Sequence, residues 1–137
     1  MSAAVFNGSC ICGSITFEIT GDARAFFHCH CGRCRKSSGT GHASNIIIKP
    51  DSARWTSGEH LISSFKVPDA ERFRTVFCKQ CGSPMPRIAP DLSVAVIPAG
   101  SLDSEPPFGP TDNIMINSKA SWSCAATGIP AWPEYPE

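Results

Sequence analysis

The chain has 137 residues, 42% of them hydrophobic, and its 12 basic residues balance its 12 acidic ones. A chain of this length is expected to fold as one domain over 1–137, burying about two-thirds of its unfolded surface. Zero net charge argues against a nucleic-acid binder, and no apolar run approaches the ~20 residues needed to cross a bilayer.

Met1 to Gly8 carries neither the basic stretch nor the apolar core of a secretory signal, so a reducing, cytoplasmic setting is expected. The first clear element follows at Ser14–Thr20, where Ile15, Phe17 and Ile19 alternate with Thr16 and Glu18, the period of a half-buried strand. Further strands are expected at Ala25–Cys29, Ala43–Lys49, Leu61–Val67, Phe73–Phe77, Ser93–Ile97 and Asn113–Asn117. Turn signals separate them at Gly21-Asp22, Pro50-Asp51, Ser57-Gly58, Pro68-Asp69 and Ala89-Pro90-Asp91. One short helix is expected from Gly32 to about Ser38, ended by Gly39. Many short strands and one helix predict a mainly β domain, sandwich-like or barrel-like. The proline-rich tail from Gly128 to Glu137 is neither helix nor central strand, and is expected to lie extended over the domain with Trp132 buried.

Seven of the eight cysteines fall in three clusters: Cys10-Ile11-Cys12, Cys29-His30-Cys31-Gly32-Arg33-Cys34 and Cys78-Lys79-Gln80-Cys81. In a reducing compartment, paired cysteines point to metal rather than to disulfides. The first and last clusters read as zinc knuckles, each with a glycine, Gly13 or Gly82, where a positive φ suits the turn. Two knuckles close a tetrahedral zinc shell, so Cys10, Cys12, Cys78 and Cys81 are expected to hold a structural zinc that staples a long loop.

The middle cluster offers three sulfurs, Cys29, Cys31 and Cys34, which leave a zinc one open position, the mark of a reactive site. Three thiolates on Zn2+ carry a net charge of −1, and a fourth, from a substrate thiol, would make it −2. Arg33, Arg35 and Lys36 are the nearby cations that would balance this charge or hold a substrate carboxylate. Candidate fourth ligands are His28, His30, His42, His60 and Cys124. Cys124 otherwise reads as a small core residue, and His30 and His42 are also the nearest candidates for moving a proton. Iron bound by the sulfurs is a chemical alternative, which would colour the protein.

In order along nearly the whole chain, the motifs resemble the glutathione-dependent formaldehyde-activating enzyme family, also called the GFA or CENP-V domain family. The residues that carry the resemblance begin with Gly8-Ser9-Cys10-x-Cys12-Gly13, Cys29-His30-Cys31-x2-Cys34-Arg35-Lys36-x2-Gly39 and Phe77-Cys78-x2-Cys81-Gly82. They continue with Ala99-Gly100-Ser101-Leu102-Asp103, Ser121-Trp122 and Ile129-Pro130-Ala131-Trp132-Pro133. The resemblance implies an Mss4-like β fold with two zinc ions per chain, the closed one on Cys10, Cys12, Cys78 and Cys81 and the open one on Cys29, Cys31 and Cys34. It also implies a carbon–sulfur lyase that joins a small thiol, glutathione, to a small aldehyde, formaldehyde, giving S-hydroxymethylglutathione, or runs in reverse. A non-catalytic zinc-binding or chaperone-like interaction module is the alternative reading, with a nucleic-acid or cytoskeletal binder third. Thiol occupancy of the open site separates the first two.

Overall fold

The computed structural model describes residues 3–123 and 128–136. Its architecture is mainly β, as the alternating pattern predicts, with one α-helix among the described residues. Strands β1 (Ala4–Ser9), β2 (Thr16–Cys29) and β3 (Ala43–Ser57) form an antiparallel ribbon, extended on the far side of β3 by β7 (Ala95–Pro98) and β6 (Arg87–Ile88). The other edge of β2 is shared. Its first half pairs with β1, and its last residues, Phe27 to Cys29, pair in parallel with β8 (Asp112–Ile114). A separate two-stranded sheet consists of β4 (Ile62–Lys66) and β5 (Arg74–Cys78). Helix α1 (Gly32–Ser38) sits between β2 and β3 and ends on Gly39, whose φ of 73° is left-handed.

Two expected turns are absent. Gly21-Asp22 lies inside β2 and Pro50-Asp51 inside β3, and the two breaks face one another, Gly21 pairing with Pro50. A Cβ on Gly21 would come within 2.4 Å of the Lys49 carbonyl and 2.7 Å of Pro50 Cα, so glycine is what lets the strands approach there. β7 covers only Asn45 to Ile48, so at Pro50 the strand has a neighbour on one side alone, where a missing N–H is tolerated. Register shifts between Thr20 and Gly21 and between Ala23 and Ala25 bend the ribbon without ending it. Tertiary pairing thus overrides local turn propensity and fuses what read as separate strands. Strands β1 and β6 lie outside the expected set altogether.

The core forms where the alternation placed it. Ile15, Phe17 and Ile19 are buried with Phe6, Phe26, Ile46, Ile48, Met85 and Ile97, and Cys10 and Cys78 belong to the same cluster. At roughly 1.5–3 kcal/mol for each fully buried large apolar side chain, these residues supply most of the drive to fold. The tail departs from expectation. Trp132 is 49% exposed and Tyr135 89% exposed, so the prolines do keep this segment irregular but it does not bury its aromatic rings. No helix among the described residues is long and apolar enough to cross a membrane.

Candidate metal centres and the groove between them

The two knuckles meet at the junction of the two sheets. Cys10 and Cys12 occupy the turn between β1 and β2, while Cys78 ends β5 and Cys81 lies in the turn after it. The four sulfurs lie within 4.8 Å of one another. Cys10 Sγ is 3.5 Å from Cys12 Sγ, which is 3.9 Å from Cys78 Sγ. Tetrahedral zinc with Zn–S bonds of about 2.3 Å needs sulfur–sulfur edges of about 3.8 Å, so the donor set fits the ion. A disulfide needs about 2.05 Å, and all seven described cysteines are free.

The backbone is arranged to receive anionic sulfur. Gly13 and Gly82 take φ of 77° and 80°, as the knuckle reading predicts, with Gly13 N–H donating to the Cys10 carbonyl and Gly82 N–H to the Cys78 carbonyl. Ile15 N–H points at Cys10 Sγ at 3.3 Å. Two residues not singled out in the sequence join the knuckles. Gln80 Nε2 donates to Cys12 Sγ and to Ser14 Oγ, and Ser83 Oγ accepts from Ile11 N–H and lies 3.3 Å from Cys81 Sγ. Their only sequence signal is a position within or just after the Cys78–Cys81 turn. Hydrogen bonding to the side chain and backbone of Ser83 pulls the Cys81 thiol down to about 5, and bonding to Ser14 lowers that of Cys12. Burial pushes Cys78 up.

The second cluster is local. Cys29 ends β2, held between Ala43 of β3 and Ile114 of β8. Cys31 caps α1, and Cys34 stands in its first turn. The Cys34 N–H, free at the start of the helix, donates to Cys31 Sγ at 3.3 Å. Burial opposes ionisation of Cys31, yet the N–H of Cys34 and the neighbouring thiols outweigh it and lower its pKa. Burial, with Cys29 and Cys31 beside it, pushes the Cys34 thiol well up. Three crowded sulfurs therefore resist becoming three thiolates unless a cation shares their charge, which is the chemistry of a metal site. The three sulfurs lie within 4.8 Å of one another, and among the described residues no fourth His, Cys, Asp or Glu atom joins them.

The candidate fourth ligands are placed elsewhere. His30 is fully buried with Nε2 2.9 Å from Asn113 Oδ1. His28 and His42 stack with ring centroids 4.0 Å apart, and Ser44 Oγ bridges their Nδ1 atoms at 3.0 and 3.2 Å. Burial and the neighbouring His42 and His30 lower the pKa of His28. His60 is exposed in the short turn before β4. Cys124 lies outside the described residues. Of the three expected cations, Arg33 makes an exposed pair with Asp69 at 3.6 Å, Arg35 is half-buried, and Lys36 is exposed.

A groove of about 1010 Å3 runs past both clusters, lined by Cys34 and Cys10. His42, Ser44 and Asn45 also line it, whereas Arg33, Arg35 and Lys36 do not. Phe73 packs against Cys29, Cys34 and Ala43 and lines the groove beside them. A concave channel of this size, mostly apolar with a few polar groups and Cys34 in its wall, suits a small organic molecule.

Comparison with known proteins agrees with this geometry. The family described as glutathione-dependent formaldehyde-activating enzyme matches residues 5–118. No curated protein matches the chain. A solved crystal structure of a protein from Rhodobacter sphaeroides is 17% identical and superposes with a TM-score of 0.54, covering 74% of this chain and 91% of that one, which shows a shared fold. The family match spans both cysteine clusters and, but for Ala4 at the start of β1, every strand described above, and the chain belongs to the glutathione-dependent formaldehyde-activating enzyme family.

Proposed function

We propose that this protein is a zinc-dependent carbon–sulfur lyase, joining a small thiol such as glutathione to a small aldehyde such as formaldehyde and catalysing the reverse cleavage. The observation that carries the reading is a cluster of three cysteines without a fourth protein ligand among the described residues, opening on a groove at Cys34. Cys29, Cys31 and Cys34 would hold a zinc ion, which would favour the thiolate form of a thiol that reaches it. Cys10, Cys12, Cys78 and Cys81 hold the second zinc and do no chemistry.

In the forward direction the thiol loses its proton, a sulfur lone pair forms the S–C bond, and the carbonyl π electrons move to oxygen, which is then protonated. His42 lines the groove with Nδ1 fixed by Ser44, which leaves Nε2 to take the thiol proton and return it to that oxygen. His30, the other candidate, is buried and engaged by Asn113. Arg33, Arg35 and Lys36 offset the negative charge of the thiolate-rich centre from the helix side. The groove walls hold the two reactants together, which replaces an encounter in solution with a positioned reaction.

The test uses the protein with cobalt in place of zinc. Glutathione should alter the sulfur-to-cobalt bands of the three-cysteine centre and leave those of the other unchanged, and labelled formaldehyde should give the S-hydroxymethyl adduct faster than in buffer. A spectrum indifferent to glutathione and to small thiols alike would favour a non-catalytic zinc-binding module. A thiol response without formaldehyde turnover would retain the thiol site and remove formaldehyde as the substrate.

A further inference from the structure

One wall of the groove carries three guanidinium groups that the chemistry above does not use. Arg72, Arg74 and Arg87 all line it. The backbone explains their convergence. An antiparallel bridge joins Phe77 to Pro84, and Met85 N–H donates to the Val76 carbonyl at 2.8 Å. This crossing brings the start of β5 towards β6, close enough for the charges of Arg74 and Arg72 to act on Arg87, and Arg72 reaches the groove from the bend just before β5. Phe73 lies between Arg72 and Arg74 and packs against the cluster that Cys29, Cys34 and Ala43 form, and Cys34 lines the same groove as the two arginines.

Nothing in the described chain neutralises them. The ion pairs among the described residues are Arg24–Asp22, Arg33–Asp69 and Arg54–Glu18. Arg74 donates to a neutral partner, Ser64 Oγ, at 3.4 Å. Asp103, a carboxylate that also lines the groove, accepts from the Ser9 hydroxyl beside the four-cysteine cluster. Arg87 is half-buried, and burial together with the charges of Arg74 and Arg72 holds its pKa below the ordinary value for arginine. Gathering three like charges in a partly dry groove is unfavourable unless an anion joins them. A guanidinium offers a planar fork of donors that matches a carboxylate, and a groove of about 1010 Å3 holds a molecule of tripeptide size.

We propose that Arg72, Arg74 and Arg87 form an anion subsite that selects a thiol bearing carboxylate groups over a neutral one. The selection of a thiol rests on the function proposed above; the binding of carboxylates does not.

The test separates the two. S-methylglutathione keeps both carboxylates and has no free thiol, so its binding to the zinc-loaded protein, measured by calorimetry, reads the subsite alone. It should bind at least tenfold more tightly than its diester and weaken as salt rises. Arg87→Gln and Arg74→Gln should each weaken binding about ten- to a hundredfold, with Arg87→Lys intermediate because it keeps the charge and loses the fork. Circular dichroism checks that each variant is folded; should Arg87→Gln not fold, Arg74→Gln and Arg72→Gln, at exposed positions, carry the comparison. Equal binding of acid and ester, glutamine variants that bind like the parent, or no binding of the acid at millimolar concentration would each overturn the subsite. Uptake of neutral 2-mercaptoethanol by the cobalt protein reads the other half. Uptake without discrimination between acid and ester keeps the thiol site and removes the subsite. Discrimination without uptake of any thiol does the reverse.

Discussion

The two cysteine clusters use the same ligand chemistry but are assembled differently. The three-cysteine cluster comes from six consecutive residues at the end of β2 and the start of α1, and it brings together nothing that the chain does not already keep adjacent. The four-cysteine cluster joins distant segments, with even Cys12 and Cys78 lying 66 positions apart in sequence, and ties the main sheet to the β4–β5 pair. Closing a loop of that length costs conformational entropy that metal binding would offset, so in that cluster metal free energy would become folding free energy. A local cluster has no long loop to close, so an ion held there would add little to folding.

The largest expected effect separates the two. Cys81→Ser removes one ligand from the staple. Structural zinc contributes on the order of 10 kcal/mol in small zinc domains, so this variant should lose its cooperative urea transition. Cys31→Ser should keep a cooperative transition near the parent's, lose one of two zinc ions by elemental analysis, and lose the thiol response. Equal denaturant midpoints for the two variants would break the division between structural and reactive centres.

A smaller effect sharpens it. Gly82 and Gly39 both have positive φ, 80° and 73°, and a Cβ on either would meet nothing within 4 Å. Alanine at either position should therefore cost only the backbone term, about 1–2 kcal/mol by denaturant unfolding. Gly82→Ala should in addition speed zinc loss to a chelator, because it distorts a knuckle, whereas Gly39→Ala, at the far end of α1, should not. Equal chelation rates would show that the knuckle turn does not hold its metal rigidly.

An effect of similar size tests how the three-cysteine centre is supported. Asn113→Ala removes the partner of His30 Nε2 and, because Nδ1 has none among the described residues, leaves a fully buried imidazole with neither ring nitrogen hydrogen-bonded. The cost should be about 1–3 kcal/mol in stability, with the four-cysteine cobalt spectrum unchanged. A shift in that spectrum would mean that the two centres communicate through β2.

Much of this was legible in the residues. Ile15, Phe17 and Ile19 announced a buried strand face, Gly39 the end of the helix, and Gly13 and Gly82 the knuckle turns, because each depends on a period or a backbone angle that neighbouring residues decide. The grouping of four cysteines against three followed from ligand number, since zinc takes four donors wherever they come from. The remainder depended on contacts between distant segments. Gly21 and Pro50 read as turns until the pairing of β2 with β3 set them face to face. Trp132 read as buried because apolar area favours burial, but nothing in the tail states what surface would cover it. Arg33, Arg35 and Lys36 drew attention by lying beside the cysteines in sequence. The arginines that line the groove, Arg72, Arg74 and Arg87, come from the β5 region and β6 and meet only because an antiparallel crossing near Phe77 and Pro84 folds them together. Chain periodicity and ligand chemistry are local properties, whereas the charge lining a groove is a sum over segments that only the folded chain brings together.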